Sequence, residues 1–440
     1  CAVTWRRFRH YYSPMLARTS RRVLQQYSRV VQSSIHTADN EPMLMIPGPC
    51  VPTDRVKEQG AMPPINHIGE LCMSTFKSSL SQMRKAWKAD DSTYPFILAG
   101  SGTLGMEMAM QNLLEEGNRA LVLSIGYFGD RFVDMARRIP GIEYHVEKAE
   151  VGYAFSREQV EKLLKQAKDE GKPYDMVYCT HVDTSVGVRT DTKMVAELAS
   201  EYDALSVVDG VAGALGEEFD MSGWGADVYL TGSQKVLGMH AGLSLFVVSE
   251  RAIERRKQLK SRIPPSYMDY EKWIPIMQNY EAGKPSYFAT PATSYIPVLD
   301  VALNEVLSPS IEETWEKHAR AARAVRKGFE TLGLEVVAKE GCQANTLTAF
   351  YVPDSVTPVD IIGRVKSKGF QFAGPLIQPP EAKPYVRCGH MGLATVSSPD
   401  VLPRVLDSLQ QTLVELKVSS ATSLPQGAAA NAASDILKKQ

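Results

Sequence analysis

The sequence predicts an α/β protein: a mostly parallel sheet with helices on both faces, followed by a smaller α+β domain. Three observations carry this. The apolar runs are continuous rather than alternating, as in strands buried on both faces. Amphipathic segments of helical period separate them. After about Pro309 the pattern changes to a long charged helix followed by short strands.

Tyr94–Ala99 reads as the first buried strand. It breaks at Gly100-Ser101-Gly102 into a helix ending near Gly117. Ala120–Ile125 is the next strand, followed by a helix around Phe132–Arg138. Ser156 and Gln159 form a capping box ahead of a helix that stops at Gly171. Met176–Thr180 is a strand, then comes a helix near Met194–Tyr202, then the apolar strand Leu205–Val208 ending on Asp209. Val228–Leu230 and Leu243–Val248 complete the set. In the second domain, a helix over Ile311–Thr331 leads into strands at Leu334–Val337 and Leu347–Tyr351. Helices near Val359–Lys368 and Pro403–Leu416 flank two further short strands.

At 440 residues the chain suggests two domains with extensions. The expected division is a basic leader over residues 1–38, a large domain with an N-terminal arm over 39–308, a small domain over 309–417 and a disordered tail over 418–440. The tail expectation rests on its Ala, Ser and Asn content, without apolar periodicity. The 49 basic and 50 acidic residues nearly cancel, so no basic field points to nucleic acid. No apolar run approaches the roughly 20 residues of a membrane-spanning helix. Six cysteines lie at 1, 50, 72, 179, 342 and 388, without C-x-x-C pairs or zinc spacing, so no metal site is expected. Low cysteine usage fits a reducing compartment. Residues 1–38 hold seven arginines and neither lysine nor carboxylate. That composition reads as a mitochondrial transit peptide and predicts a matrix address, with the cytoplasm as the alternative.

Chemistry concentrates at strand ends. Asp209 closes an apolar strand, where open α/β sheets place their ligands. Lys235, in Thr231-Gly232-Ser233-Gln234-Lys235, follows another strand among small polar residues, and its amine can form an imine with an aldehyde cofactor. Pyridoxal phosphate needs an imine lysine, a carboxylate for its pyridine nitrogen and a phosphate cradle. Gly100-Ser101-Gly102-Thr103 offers the cradle, a strand-to-helix turn with free N–H groups and the positive dipole end. Phe128 is a candidate to stack on the ring. Arg387, in Tyr385-Val386-Arg387-Cys388-Gly389-His390, suits bidentate capture of a carboxylate. Each has a plainer reading: a turn-capping Asp, a core Phe, a solvated Arg. Their joint occurrence favours the site. One rival is a dinucleotide fold, since Gly100-Ser-Gly102-Thr-Leu-Gly105 matches G-x-G-x-x-G. That fold asks for an acid at the end of the next strand, and Leu123-Ser124-Ile125-Gly126 has none.

With these residues in place, the chain from about Ile46 to Leu416 resembles the class V aminotransferases, in particular the alanine–glyoxylate (serine–pyruvate) transaminase family. The likeness is carried by Ser233-Gln234-Lys235, Val208-Asp209, Thr180-His181-Val182-Asp183-Thr184-Ser185, Ala99–Thr103, Asn279–Lys284, Tyr287-Phe288-Ala289-Thr290-Pro291 and Arg387–Gly392. The resemblance implies pyridoxal-phosphate fold type I, with a mostly parallel seven-stranded sheet. It gives Lys235 the Schiff base and Asp209 the pyridine nitrogen. Ser101, Gly102, Thr103 and Gln234 surround the phosphate, Phe128 stacks on the ring, and Thr184 contacts the phenolic oxygen. Arg387 binds the substrate carboxylate. Tyr287 and Thr290 reach the phosphate of the neighbouring subunit, which implies a homodimer with shared sites. The implied reaction converts L-alanine and glyoxylate to pyruvate and glycine. The alternatives are a serine–pyruvate or kynurenine-type transaminase, or a class V lyase. Gly238-Met239-His240-Ala241-Gly242 departs from the family's prolines after the lysine, and Cys50 sits in the Pro47-Gly48-Pro49 loop near the expected substrate pocket. Lone His240 is read as structural.

Overall fold

Seven strands form the central sheet of the computed structural model, which describes residues 41–438. In chain order they are β1 (Tyr94–Ala99), β2 (Arg119–Ser124), β3 (Glu143–Lys148), β4 (Met176–Thr180), β5 (Leu205–Asp209), β6 (Val228–Gly232) and β7 (Leu243–Val248). Across the sheet the order is β1-β7-β6-β5-β4-β2-β3. Only β7 runs antiparallel, to β1 on one side and β6 on the other. The parallel pairs place Thr180 beside Asp209 and Asp209 beside Leu230. The carboxyl ends of β1, β2, β4, β5 and β6 therefore share one edge, and every chemistry-bearing turn of the large domain starts there.

The inner strands are apolar because both faces are covered: β4, β5, β6 and β7 are buried throughout. β3 is absent from the sequence reading. Its Glu-Tyr-His-Val-Glu-Lys has no apolar run, because an edge strand keeps much of its surface in water. The expected capping box is present, with Ser156 Oγ accepting from Gln159 N and the Gln159 side chain accepting from Ser156 N.

Helices α1 (Gly102–Leu113) and α2 (Tyr127–Ala136) leave the shared edge from β1 and β2. Helix α3 (Ile311–Thr331) begins at Ser310, whose hydroxyl accepts from Glu313 N at 3.3 Å. It packs on β8 (Leu347–Tyr351), which pairs antiparallel with β9 (Tyr385–Gly389), matching Ala349 with Arg387.

Two expectations need correction. Leu334–Val337 is not a strand; only Val336 bridges, to Phe350. The segment after Val418 is not disordered through its described residues, because Ala428–Leu437 forms helix α4, packed on α3. Ala429 and Ala433, one turn apart, are fully buried. Their small side chains let two helices approach closely, and alanine is the strongest helix former. A stripe of alanines thus does here what larger apolar residues usually signal. The arginine-rich segment 1–38 lies outside the described residues.

Candidate active site

Lys235 lies in the turn that follows β6 and is partly buried. Its Nζ donates to the carbonyl of Pro47. That carbonyl belongs to the Pro47-Gly48-Pro49 loop expected near the substrate pocket, though its contact with the lysine was not foreseen. Met45 is bound to Gln371 O through its N–H and to Gly389 N through its carbonyl. The chain then passes over Lys235 at Gly48. A Cβ at Gly48, where φ is +82°, would lie 2.8 Å from the lysine Nζ, so only glycine fits. Burial pulls the Lys235 amine below its usual pKa, against opposing effects from Cys50 and Asp209. A larger neutral fraction makes a better nucleophile and base.

Asp209 is 2% exposed. Its Oδ1 accepts from Val211 N at 2.9 Å and its Oδ2 from Tyr178 Oη at 3.3 Å. Burial pushes its pKa up to about 7, with the Val211 N–H working against the rise. No cationic side chain pairs with it within 4 Å among the described residues. A buried carboxylate held by two donors and lacking a counter-ion is costly unless a ligand brings a cationic N–H.

The Gly100 turn opens α1 as expected. Ser101 is the N-cap, yet its hydroxyl makes no capping bond. The first N–H groups of α1 have no intrahelical acceptor. Gly102 packs against Val211, leaving no room for a Cβ, and its N lies 3.4 Å from where a Gly232 Cβ would sit. The amide oxygen of Gln234 is buried there without a partner. Free N–H groups and a spare hydroxyl beside partly exposed Thr103 suit a tetrahedral anion.

Opposite this turn, Phe128 and Thr184 are joined through a residue the sequence reading quoted without a role. The carboxylate of Asp183 accepts from Phe128 N at 2.9 Å and Gly129 N at 3.2 Å, and from Ser185 N and Oγ at 2.9 and 2.6 Å. Thr184 is buried between them, and its carbonyl accepts from Arg387 Nη1 at 3.1 Å. Arg387 Nε donates to Gly374 O at 2.7 Å. Arg387 is 8% exposed, and its guanidinium has no carboxylate partner within 4 Å among the described residues. It is a buried cation with an unclaimed edge, suited to an incoming carboxylate.

Tyr287 and Thr290 are not brought to this cluster. Both are exposed, and they hydrogen-bond each other at 3.2 Å. His240 is exposed too. Cys50 is buried, and burial pushes its thiol up to about 12, so it is no nucleophile. A cavity of about 750 Å³ opens beside the cluster, between Tyr127, Asp130 and Lys148 on one wall and Leu376, Ile377 and Glu381 on the other. Lys235 does not line it, so it is the convergence of side chains, not the cavity, that locates the chemistry. The dinucleotide reading fails on topology. A nucleotide-binding βαβ unit returns to a neighbouring parallel strand, whereas four strands separate β1 from β2.

The loop after Arg387 is pinned to α3 by His318. Its Nδ1 lies 2.7 Å from Thr314 O, and its Nε2 accepts from Gly392 N at 3.0 Å, so the ring is neutral. Burial lowers its pKa from 6.5 to about 4. The folded state thus binds fewer protons than the unfolded state between those values. Its contribution is intact above pH 6.5 and is lost as pH falls toward 4, on the order of 3 kcal/mol in total. Asp209 and Glu217, both pushed up to about 7 by burial, act in the opposite sense. Denaturant unfolding of wild type beside His318→Gln isolates the histidine. The wild-type advantage at pH 7 is expected to shrink by about that amount at pH 4; a pH-independent difference would refute the assignment.

Five strand ends thus meet around a pocket that asks for an aldehyde at Lys235, a ring nitrogen at Asp209 and an anion at the Gly102 turn. Pyridoxal phosphate is the cofactor of that description. Residues 65–370 match the family described as Aminotransferase class-V. Alanine–glyoxylate aminotransferase 1 of Saccharomyces cerevisiae is 34% identical over 363 residues, covering 80% of this chain and 92% of the relative. Serine–glyoxylate aminotransferase of Arabidopsis thaliana is 30% identical, covering 72% of this chain and 77% of the relative. The crystal structure of alanine–glyoxylate aminotransferase from Nostoc sp. superimposes with a TM-score of 0.77 at 26% identity, over 85% of this chain and 95% of that one. The chain belongs to the class V aminotransferase family: it is a pyridoxal-phosphate-dependent aminotransferase of fold type I acting on amino and oxo acids.

Proposed function

We propose that the enzyme transfers the amino group of L-alanine to glyoxylate, yielding pyruvate and glycine. The observation that carries this reading is the convergence of Lys235, Asp209 and Arg387 in a chain 34% identical to an alanine–glyoxylate enzyme. The wall beside the lysine supports a small donor. Cys50 lies 3.5 Å from where a Gly392 Cβ would sit, and the Pro47–Pro49 segment closes over Lys235.

When bound, pyridoxal phosphate supplies a carbonyl carbon for amine exchange and a ring that takes up the electrons left as the α-proton departs. The protein's side chains do the rest. Lys235 holds the cofactor until the donor amine takes its place. With the cofactor bound, the freed Nζ would be the group that takes and returns the proton at the substrate α-carbon. Asp209 accepts the ring N–H and keeps that nitrogen protonated. Ser101, Gly102, Thr103 and Gln234 would hold the phosphate, Phe128 would stack on the ring and the Thr184 hydroxyl would meet the phenolic oxygen. Arg387 would bind the substrate carboxylate and so fix the orientation of the labile C–H bond.

The exposure of Tyr287 and Thr290 supports a homodimer in which they complete the partner's phosphate site. The arginine-rich residues 1–38 support a mitochondrial address. Single-turnover kinetics with L-alanine, L-serine and L-aspartate test the donor. L-Alanine is expected to react at least about tenfold faster per unit concentration, a difference of about 1.4 kcal/mol in transition-state binding. A faster reaction with L-serine would move the enzyme to the serine-using branch, and a faster one with L-aspartate would reject a small-donor pocket.

A further inference from the structure

We infer that Asp183 is a positioning residue for the reaction: one buried carboxylate fixes both the turn that carries Phe128 and the turn that carries Thr184, and through the Thr184 carbonyl it sets where Arg387 holds its substrate. This rests on the proposed roles of those three residues.

Helix α2 begins at Gly126, which has no side chain to cap it. Asp183 supplies the cap from the segment after β4, 55 and 54 residues beyond the two donors, by accepting from Phe128 N and Gly129 N. A carboxylate is the favoured group at a helix N-terminus, where free N–H groups and the dipole both call for negative charge. Its other oxygen takes Ser185 N and Oγ. The Ser185 hydroxyl in turn accepts from Tyr127 N at 3.1 Å, so the two turns are stitched twice. A Cβ at Gly126 would fall 2.5 Å from Ser185 Oγ and 2.6 Å from Asp183 Cγ; the glycine leaves the room that the stitch occupies.

Asp183 is fully buried, and both its oxygens are committed to protein donors. It is therefore not the group that meets a ligand. It holds three that do: the ring of Phe128, the hydroxyl of Thr184 and, through the 3.1 Å bond from Nη1, the guanidinium of Arg387. Displacement of any of these by about 1 Å is enough to cost one to two orders of magnitude in rate.

The test is Asp183→Asn, which keeps the shape but turns an NH2 toward N–H or O–H donors. Three quantities are read from the purified holoenzyme: visible circular dichroism of the bound cofactor, KM against kcat for the best amino donor, and the thermal midpoint. The variant is expected to bind pyridoxal phosphate, lose at least about half of the visible dichroism as the ring loses its fixed tilt, and raise KM about tenfold. An unchanged dichroic band and KM, with only a lower thermal midpoint, would reduce Asp183 to a structural cap and overturn the proposal. Should Asp183→Asn not fold, Ser185→Ala removes the bond from the serine hydroxyl and is expected to move dichroism and KM in the same direction by about two- to threefold; wild-type values there would overturn the proposal too. A wild-type protein with no cofactor band would instead sink the cofactor site itself, a different failure.

Discussion

Lys235→Ala is expected to lower kcat by about 10⁴-fold or more, since it removes both the attachment point and the group that moves the α-proton. The fold should survive. Lys235 lies in a turn, and its Nζ has one protein hydrogen bond, to Pro47 O. Losing a single solvent-adjacent bond costs on the order of 1 kcal/mol. Circular dichroism in the far ultraviolet and a thermal melt establish the fold, and steady-state turnover gives the effect. Turnover within tenfold of wild type, in a folded variant, would remove Lys235 from the chemistry.

Asp209→Asn is expected to lower kcat by roughly 10²- to 10³-fold, the scale of losing one preorganised electrostatic contact in a water-excluded site. The amide keeps the size of the carboxylate and can still accept from Val211 N. It cannot carry the negative charge that holds a ring nitrogen protonated. The loss should appear in kcat, with cofactor affinity reduced less, because the phosphate turn around Gly102 is untouched. An unchanged kcat would mean that the buried charge of Asp209 serves only the fold.

How much of this was legible in the sequence depends on what each residue contacts. The inner strands were readable because burial on both faces leaves a continuous apolar run, as in Ala120–Leu123. β3 was not, because an edge strand in water has no such run. Helix α4 was read as a disordered tail because its buried face is made of Ala429 and Ala433, residues that also fill unstructured segments. Lys235, Asp209 and the Gly102 turn were legible because each follows directly from a strand end. Asp183 had no role in the sequence reading, and the Pro47–Pro49 loop was placed near the pocket without its contact: their hydrogen bonds reach residues 54 and 188 positions away, and no local pattern records those. Tyr287 and Thr290 are exposed and hydrogen-bond each other, apart from the convergence at Lys235.

The absorbance spectrum of the purified protein, taken before and after L-alanine and then after glyoxylate, tests the central claim most directly. The account predicts a yellow protein whose visible band bleaches with alanine and returns with glyoxylate, one half-reaction in each direction. A colourless protein that takes up no pyridoxal phosphate would contradict it.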